Sequence, residues 1–189
     1  LSYEAGFVQK PGWTWRTPYG VAAKDAEPAV HLTQKEAESI CRFYGKRLPT
    51  DSEWTSAAFL EQRANPPTGY SKGQRYPYPG GSTPVVSHCL NGCGDYKGLA
   101  PAGALNRGTG HVLTGSTKPG VNGMYDMGGN VWEWTASRFL PYPGFSPDPW
   151  ADYSMPHFGQ ARARRGASWA TRSRMKHPKF RGFALPSQD

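Results

Sequence analysis

The stretch YDMGGNVWEW, residues 125–134, constrains this chain more than any other. Its Gly-Gly pair breaks helical continuity, its two acids need partners once buried, and its two tryptophans must be packed. No ordinary helix or turn requires all of these together. From Asn130 onward the run alternates as a strand does, with Val131 and Glu133 on one face and Trp132 and Trp134 on the other. Gly128 and Gly129 free the backbone to turn carbonyls inward. Two carboxylates, Asp126 and Glu133, together with inward carbonyls suit calcium, a hard cation that takes about six to eight oxygens. The residues equally permit an ion pair between one of these acids and a late arginine, Arg165 or Arg181. A glycosidase-type carboxylate pair is disfavoured, because no obvious partner acid stands nearby.

The rest of the chain fits a loop-rich domain of class α+β. Its 189 residues hold 23 Gly and 18 Pro, which argues against a helical bundle, while 7 Trp, 10 Tyr and 8 Phe argue against disorder. One compact domain over 1–189 is expected. Thr33 with Glu36 and Thr50 with Glu53 form two capping boxes, so a helix is expected after each. In the first, Ala37, Ile40, Cys41 and Tyr44 make one apolar stripe that should be buried, with Cys41 an inert core thiol; Gly45 ends it. In the second, Trp54, Ala57 and Ala58 should face inward, before Pro66-Pro67 stop the element. Residues 1–32 read as extended, with EPAVHL as a short buried strand. A long Gly/Pro/Asn/Ser stretch over 63–120 offers only brief strand hints, TPVV and HVLTGS, and ARRGASWAT is a further strand near the end.

Charge and cysteines narrow the classes further. The net charge is +8, and the run from Arg162 to Arg181 carries many bases and no acid. Its interleaved Pro, Gly and aromatic residues suit a basic face with internally paired arginines better than a nucleic-acid patch, so nucleic acid is not expected as a partner. No run of apolar residues is long enough to cross a membrane as a helix. Cys89 and Cys93, four apart in HCLNGCGD, suit a small disulfide; with His88 and Asp95 they make a poor zinc set. The cysteine loop points to a periplasmic or secreted protein.

Three motifs, GKRLPTDSEW, NGMYDMGGNVWEW and RRGASWATRS, resemble in order and spacing those of the formylglycine-generating enzyme, or sulfatase-modifying factor, family. That family includes the catalytic domains of ergothioneine sulfoxide synthases. The resemblance implies a C-type-lectin-like fold with little regular structure. It also implies a structural calcium held by Asp126 and Glu133 and by the carbonyls of Gly129 and Val131. A second family calcium site would fall near Ser87-His88, where its usual ligands are replaced and Asn91 or Asp95 would have to compensate.

The same comparison removes the family's known chemistry. The copper-binding cysteine pair falls on Thr171 and Lys176, neither of which suits Cu(I). The ergothioneine branch holds iron with three histidines contributed mainly by a separate helical domain. Here His31, His88, His111, His157 and His177 form no helical ligand pair. That branch's substrate-gripping positions fall on Gly182, Phe183, Ala184 and Gln188, which lack the needed groups. Relative to the family pattern, the sequence begins beyond the usual first strand and stops before the usual last one. Two readings follow. One is a calcium-stabilised binding or scaffold module for a protein, peptide or glycan. The other is a non-haem metal oxidoreductase whose iron or copper ligands come from elsewhere, with Tyr153, His157 and His177 near its pocket.

Overall fold

A computed structural model describes residues 10–83, 110–150, 154–155, 157–169, 171 and 173–188. Both capping boxes form as the sequence dictates. Thr33 and Thr50 each accept a hydrogen bond from the amide three residues on, and Glu36 and Glu53 reach back to the cap amides. They open α1 (Gln34–Phe43) and α2 (Asp51–Phe59). Short 3-10 turns lie at Pro18–Gly20, Val121–Gly123 and Ser173–Lys176.

Three strands make a small antiparallel sheet in the order β1 (Glu133–Arg138), β2 (Arg162–Arg165), β3 (Gly182–Ala184). In register, Glu133 faces Arg165 and Arg164 faces Gly182. Helix α2 packs Trp54, Ala58 and Phe59 against Met127 of the 126–133 loop. A second cluster joins Phe139, Ala161 and Ala163 to Phe158, Phe183 and Leu185. Between them Thr135 is fully buried, its hydroxyl donating to the Ala163 carbonyl at 2.7 Å, so the sheet interior carries no unpaired hydroxyl there. The class is therefore α+β with much irregular chain, as the composition implies.

Irregular chain must satisfy its backbone by other means, and buried polar side chains supply them. Asn122, at φ +55, donates through Nδ2 to the carbonyls of Ala57 and Leu60 and accepts from the Gln62 amide, closing the end of α2. Fully buried Glu61 accepts from the Asn122 amide and pairs with Arg63 at 2.7 Å, which holds its carboxyl well below the usual range, at about 2.

Some sequence expectations fail, each for a visible reason. The apolar stripe of α1 is not covered: Ile40 is exposed, Tyr44 is 69% exposed and its neighbour Phe43 83%, while Cys41 is only half-buried. Gln34 is the buried residue of that helix. EPAVHL forms no strand, because Glu27 turns inward to His111 and His31 takes a positive φ of 54°. The strand in NVWEW starts only at Glu133, since Asn130 at φ +63 still belongs to the turn before it. Cys89, Cys93, His88, Asn91, Asp95 and Tyr153 lie outside the described residues, and so does most of TPVV.

Candidate functional site

The loop that leads into β1 is held from several sides. Asp126 and Asn130 both sit at positive φ, 59° and 63°, a conformation that short polar side chains tolerate when they can bond locally. Buried Asn130 grips Val112: its Oδ1 accepts from the Val112 amide at 2.9 Å and its Nδ2 donates to the Val112 carbonyl at 3.2 Å. The Asn130 carbonyl accepts from the Trp169 amide at 2.9 Å. Asp126 accepts from the Gly115 amide at 2.8 Å and from the Thr117 hydroxyl at 3.0 Å. Buried Lys176 donates from Nζ to the Gly128 carbonyl. Gly166, at φ +86, lets β2 end close against the loop; a Cβ there would lie 3.2 Å from Glu133 Oε2.

Glu133 carries the electrostatic tension of the site. Its Oε2 accepts from the indole N–H of Trp54. Burial pushes its carboxyl up to about 7; the Trp54 bond works against that rise, and the negative charge of Asp126 adds to it. Neither arginine proposed as its partner supplies a counter-charge. Arg165 turns instead to Asp51, and it donates to the carbonyls of Pro178 and Phe180 at 2.8 and 2.6 Å and to the Tyr142 hydroxyl at 3.2 Å. Arg181 reaches Asp51 at 3.5 Å and the Leu140 carbonyl at 2.6 Å, stacked 3.8 Å over the Tyr142 ring. The ion-pair alternative for Glu133 is thus corrected: among the described residues both arginines serve Asp51.

The positions of the copper pair are filled by groups already bonded. The Thr171 hydroxyl accepts from the Ser168 amide at 2.9 Å and lies 3.1 Å from the Ser168 hydroxyl. Lys176, only 4% exposed, has its ammonium pushed down to about 8 by burial. A serine clamp and an ammonium do not fit Cu(I), which takes soft sulfur donors. The described histidines do not converge either. His111 is buried 2.6 Å from the Glu27 carboxylate and beside the Tyr19 ring. His157 rests against Phe183, and His31 against Trp13. His177 accepts from the Lys179 amide. Among the described residues no three His, Cys, Asp or Glu side chains group so as to hold a metal ion.

Beside the loop lies an open cleft of about 870 Å³. Trp54, Trp132, Trp134, Leu48, Met127 and Val131 line it with Glu133, and Ala37 of α1 forms part of one wall. Its charged lining groups are largely engaged: Arg47 and Glu53 pair at 2.6 Å, and Arg164 donates to the Phe183 carbonyl while lying near the Trp132 and Trp134 rings. Sequence reasoning did not foresee Trp54 as the partner of Glu133, Asn130 as a clamp or Lys176 as a strut. These contacts join residues 79, 18 and 48 positions apart, and only the repeated capping box placing Trp54 on the inner face of α2 hinted at the first.

Comparison with known proteins identifies the family and the fold. The family described as "Sulfatase-modifying factor enzyme 1-like domain" matches residues 3–189. A hercynine oxygenase of Mycolicibacterium smegmatis is 34% identical over 97% of the chain and 41% of its own length. A formylglycine-generating enzyme of Streptomyces coelicolor is 32% identical over 86% of the chain and 50% of its own length. The chain therefore spans about two fifths to one half of these relatives. Among solved structures, PvdO from Pseudomonas aeruginosa superposes with a TM-score of 0.54 at 17% identity, over 89% of this chain and 60% of that one, which is a likeness of fold.

Proposed function

This chain belongs to the sulfatase-modifying factor enzyme 1-like family, and we propose that it is the calcium-stabilised, non-ligating domain of a larger non-haem iron oxidoreductase of the hercynine oxygenase kind. One observation carries the reading: nearly all of the chain aligns with less than half of a hercynine oxygenase. In this reading the domain shapes and buttresses a substrate site, and the redox metal is held by histidines on polypeptide outside these residues. The binding-module expectation keeps a place within it, since this domain binds and positions without supplying the reactive metal.

Asp126 and Glu133, with the carbonyls of Gly129 and Val131, would hold the calcium. Support comes from Glu133 lying buried without an arginine paired to it, its carboxyl raised first by burial and then by the nearby charge of Asp126. Bound there, a divalent cation would neutralise both acids and fix the entry into β1. Its role is structural, and no chemical step is assigned to it.

A second reading is favoured by Thr171 and Lys176 standing where the copper thiolates of formylglycine-generating enzymes would be: a wholly non-catalytic module binding a protein, peptide or glycan. Formylglycine generation itself is excluded from the proposal, because an ammonium and a hydroxyl cannot replace two thiolates. The readings separate in one experiment on the natural polypeptide. Reconstitution with Fe(II) under anaerobic conditions, followed by oxygen uptake with hercynine present, should give substrate-dependent consumption. Stoichiometric calcium with no iron uptake and no oxygen consumption would overturn the oxidoreductase reading and leave the binding module.

A further inference from the structure

Arg164 stands in the wall of the cleft with no carboxylate paired to it among the described residues. The register of the sheet sets it across from Trp134, and its guanidinium lies 5.4 Å from the centre of that ring and 5.9 Å from the Trp132 ring. A guanidinium carries five N–H donors and stays charged at any pH a protein survives. Here Nη2 donates to the Phe183 carbonyl at 3.0 Å, while Nε is buried with no acceptor. Burial lowers the pKa of the group. Two ring contacts and one carbonyl offset only part of what it costs to bury such a charge. The other charges of the wall do not serve it: Arg47 and Glu53 hold each other, and Glu133 Oε2 is taken by the Trp54 indole.

The rest of the wall narrows the chemistry. The indole N–H of Trp54 goes to Glu133 and that of Trp134 to the Leu32 carbonyl at 2.8 Å, so both offer ring surface rather than donors. With Trp132, Leu48 and Met127 they make a broad apolar wall around one unpaired guanidinium. Indole faces stack flat rings, and a guanidinium fork matches the two oxygens of a carboxylate. The volume of about 870 Å³ lies within the range of small-molecule sites. A cationic ligand would be repelled by Arg164, and a neutral one would leave its charge uncompensated.

We propose that the cleft binds a small organic acid, a carboxylate carried on a flat aromatic body, with Arg164 taking the carboxylate and the tryptophan faces taking the ring. This goes beyond the reading above and holds whether or not a redox metal is bound elsewhere in the polypeptide.

Calorimetric titration of the natural polypeptide with naphthylacetate, and with its neutral isostere naphthylacetamide, tests the assignment. One saturable site per chain is expected for the acid. The amide should bind about ten- to a hundredfold more weakly, the loss of one charge-assisted hydrogen bond. Arg164→Gln should bring the acid down to the affinity of the amide and leave the amide unchanged. Arg164→Lys, which keeps the charge and loses the fork, should fall between. Equal affinity for acid and amide in the native protein would overturn the inference without recourse to any variant. So would the absence of saturable binding, the result if the polypeptide fills this wall with its own chain. Binding of the acid that Arg164→Gln leaves unchanged would overturn it too, because the acid would then sit elsewhere.

Discussion

Replacing Glu133 by Gln probes the proposed calcium loop most sharply, because Gln keeps an oxygen for the Trp54 indole and removes the charge. Without metal, burial and Asp126 raise the Glu133 carboxyl from 4.5 to about 7. A carboxyl raised on folding makes the native state hold the proton longer than the unfolded chain. Its contribution is therefore full below the unfolded value and is lost as pH rises through about 7. At 1.36 kcal/mol per pH unit, the loss is on the order of 3 kcal/mol. In a domain of this size that is roughly 6–12 °C of melting temperature. In EGTA, the native protein should thus melt markedly lower near pH 8 than near pH 5, and Glu133→Gln should escape most of that drop. Saturating calcium should reverse the order, since it binds the carboxylate: about 2.7 kcal/mol is gained at a hundred times the dissociation constant, and Gln forfeits much of it. Calorimetry of both proteins with and without chelator reads all four cases. Equal losses for Glu133→Gln in calcium and in EGTA would show that Glu133 has a purely packing role and refute the reasoning.

Other outcomes follow from single contacts. Lys176 is pushed down to about 8, so it disfavours folding while charged and the native protein should gain stability between about pH 8 and 10; Lys176→Met should lack that rise in pH-dependent unfolding. Arg165→Met leaves Asp51 only its 3.5 Å contact with Arg181 and strands two carbonyls, and should cost about 3–5 kcal/mol in urea unfolding, whereas Arg42→Ala, an exposed helix pair, should cost under about 1 kcal/mol. Gly120→Ala puts a Cβ 2.1 Å from the Pro79 carbonyl oxygen, backbone that cannot step aside, and should lower the melting temperature well beyond Gly73→Ala, which meets open space at its positive φ.

What could be read from the sequence was local. The capping boxes at Thr33 and Thr50 involve residues three apart, so they fix both helix starts without any tertiary information. The Gly-Gly turn and the strand behind it announce themselves for the same reason. The α1 stripe misled because periodicity reports which face is apolar, not whether anything covers it. Whether Glu133 finds an arginine was illegible because it turned on where Arg165 and Arg181 point, and Asp51, more than a hundred residues away, captures both. The strut from Lys176 to Gly128 is likewise a contact across 48 positions, made by a residue that composition counts only as surface charge.

The central claim is that this domain carries a structural calcium and leaves any redox metal to other polypeptide. Elemental analysis of the purified 189-residue chain, after dialysis against metal-free buffer and exposure to calcium, Fe(II) and Cu(I) in turn, tests it directly. The account expects close to one calcium per chain, lost in Asp126→Ala, and no stoichiometric iron or copper. Iron or copper near one per chain, or calcium retained unchanged in Asp126→Ala, would contradict it.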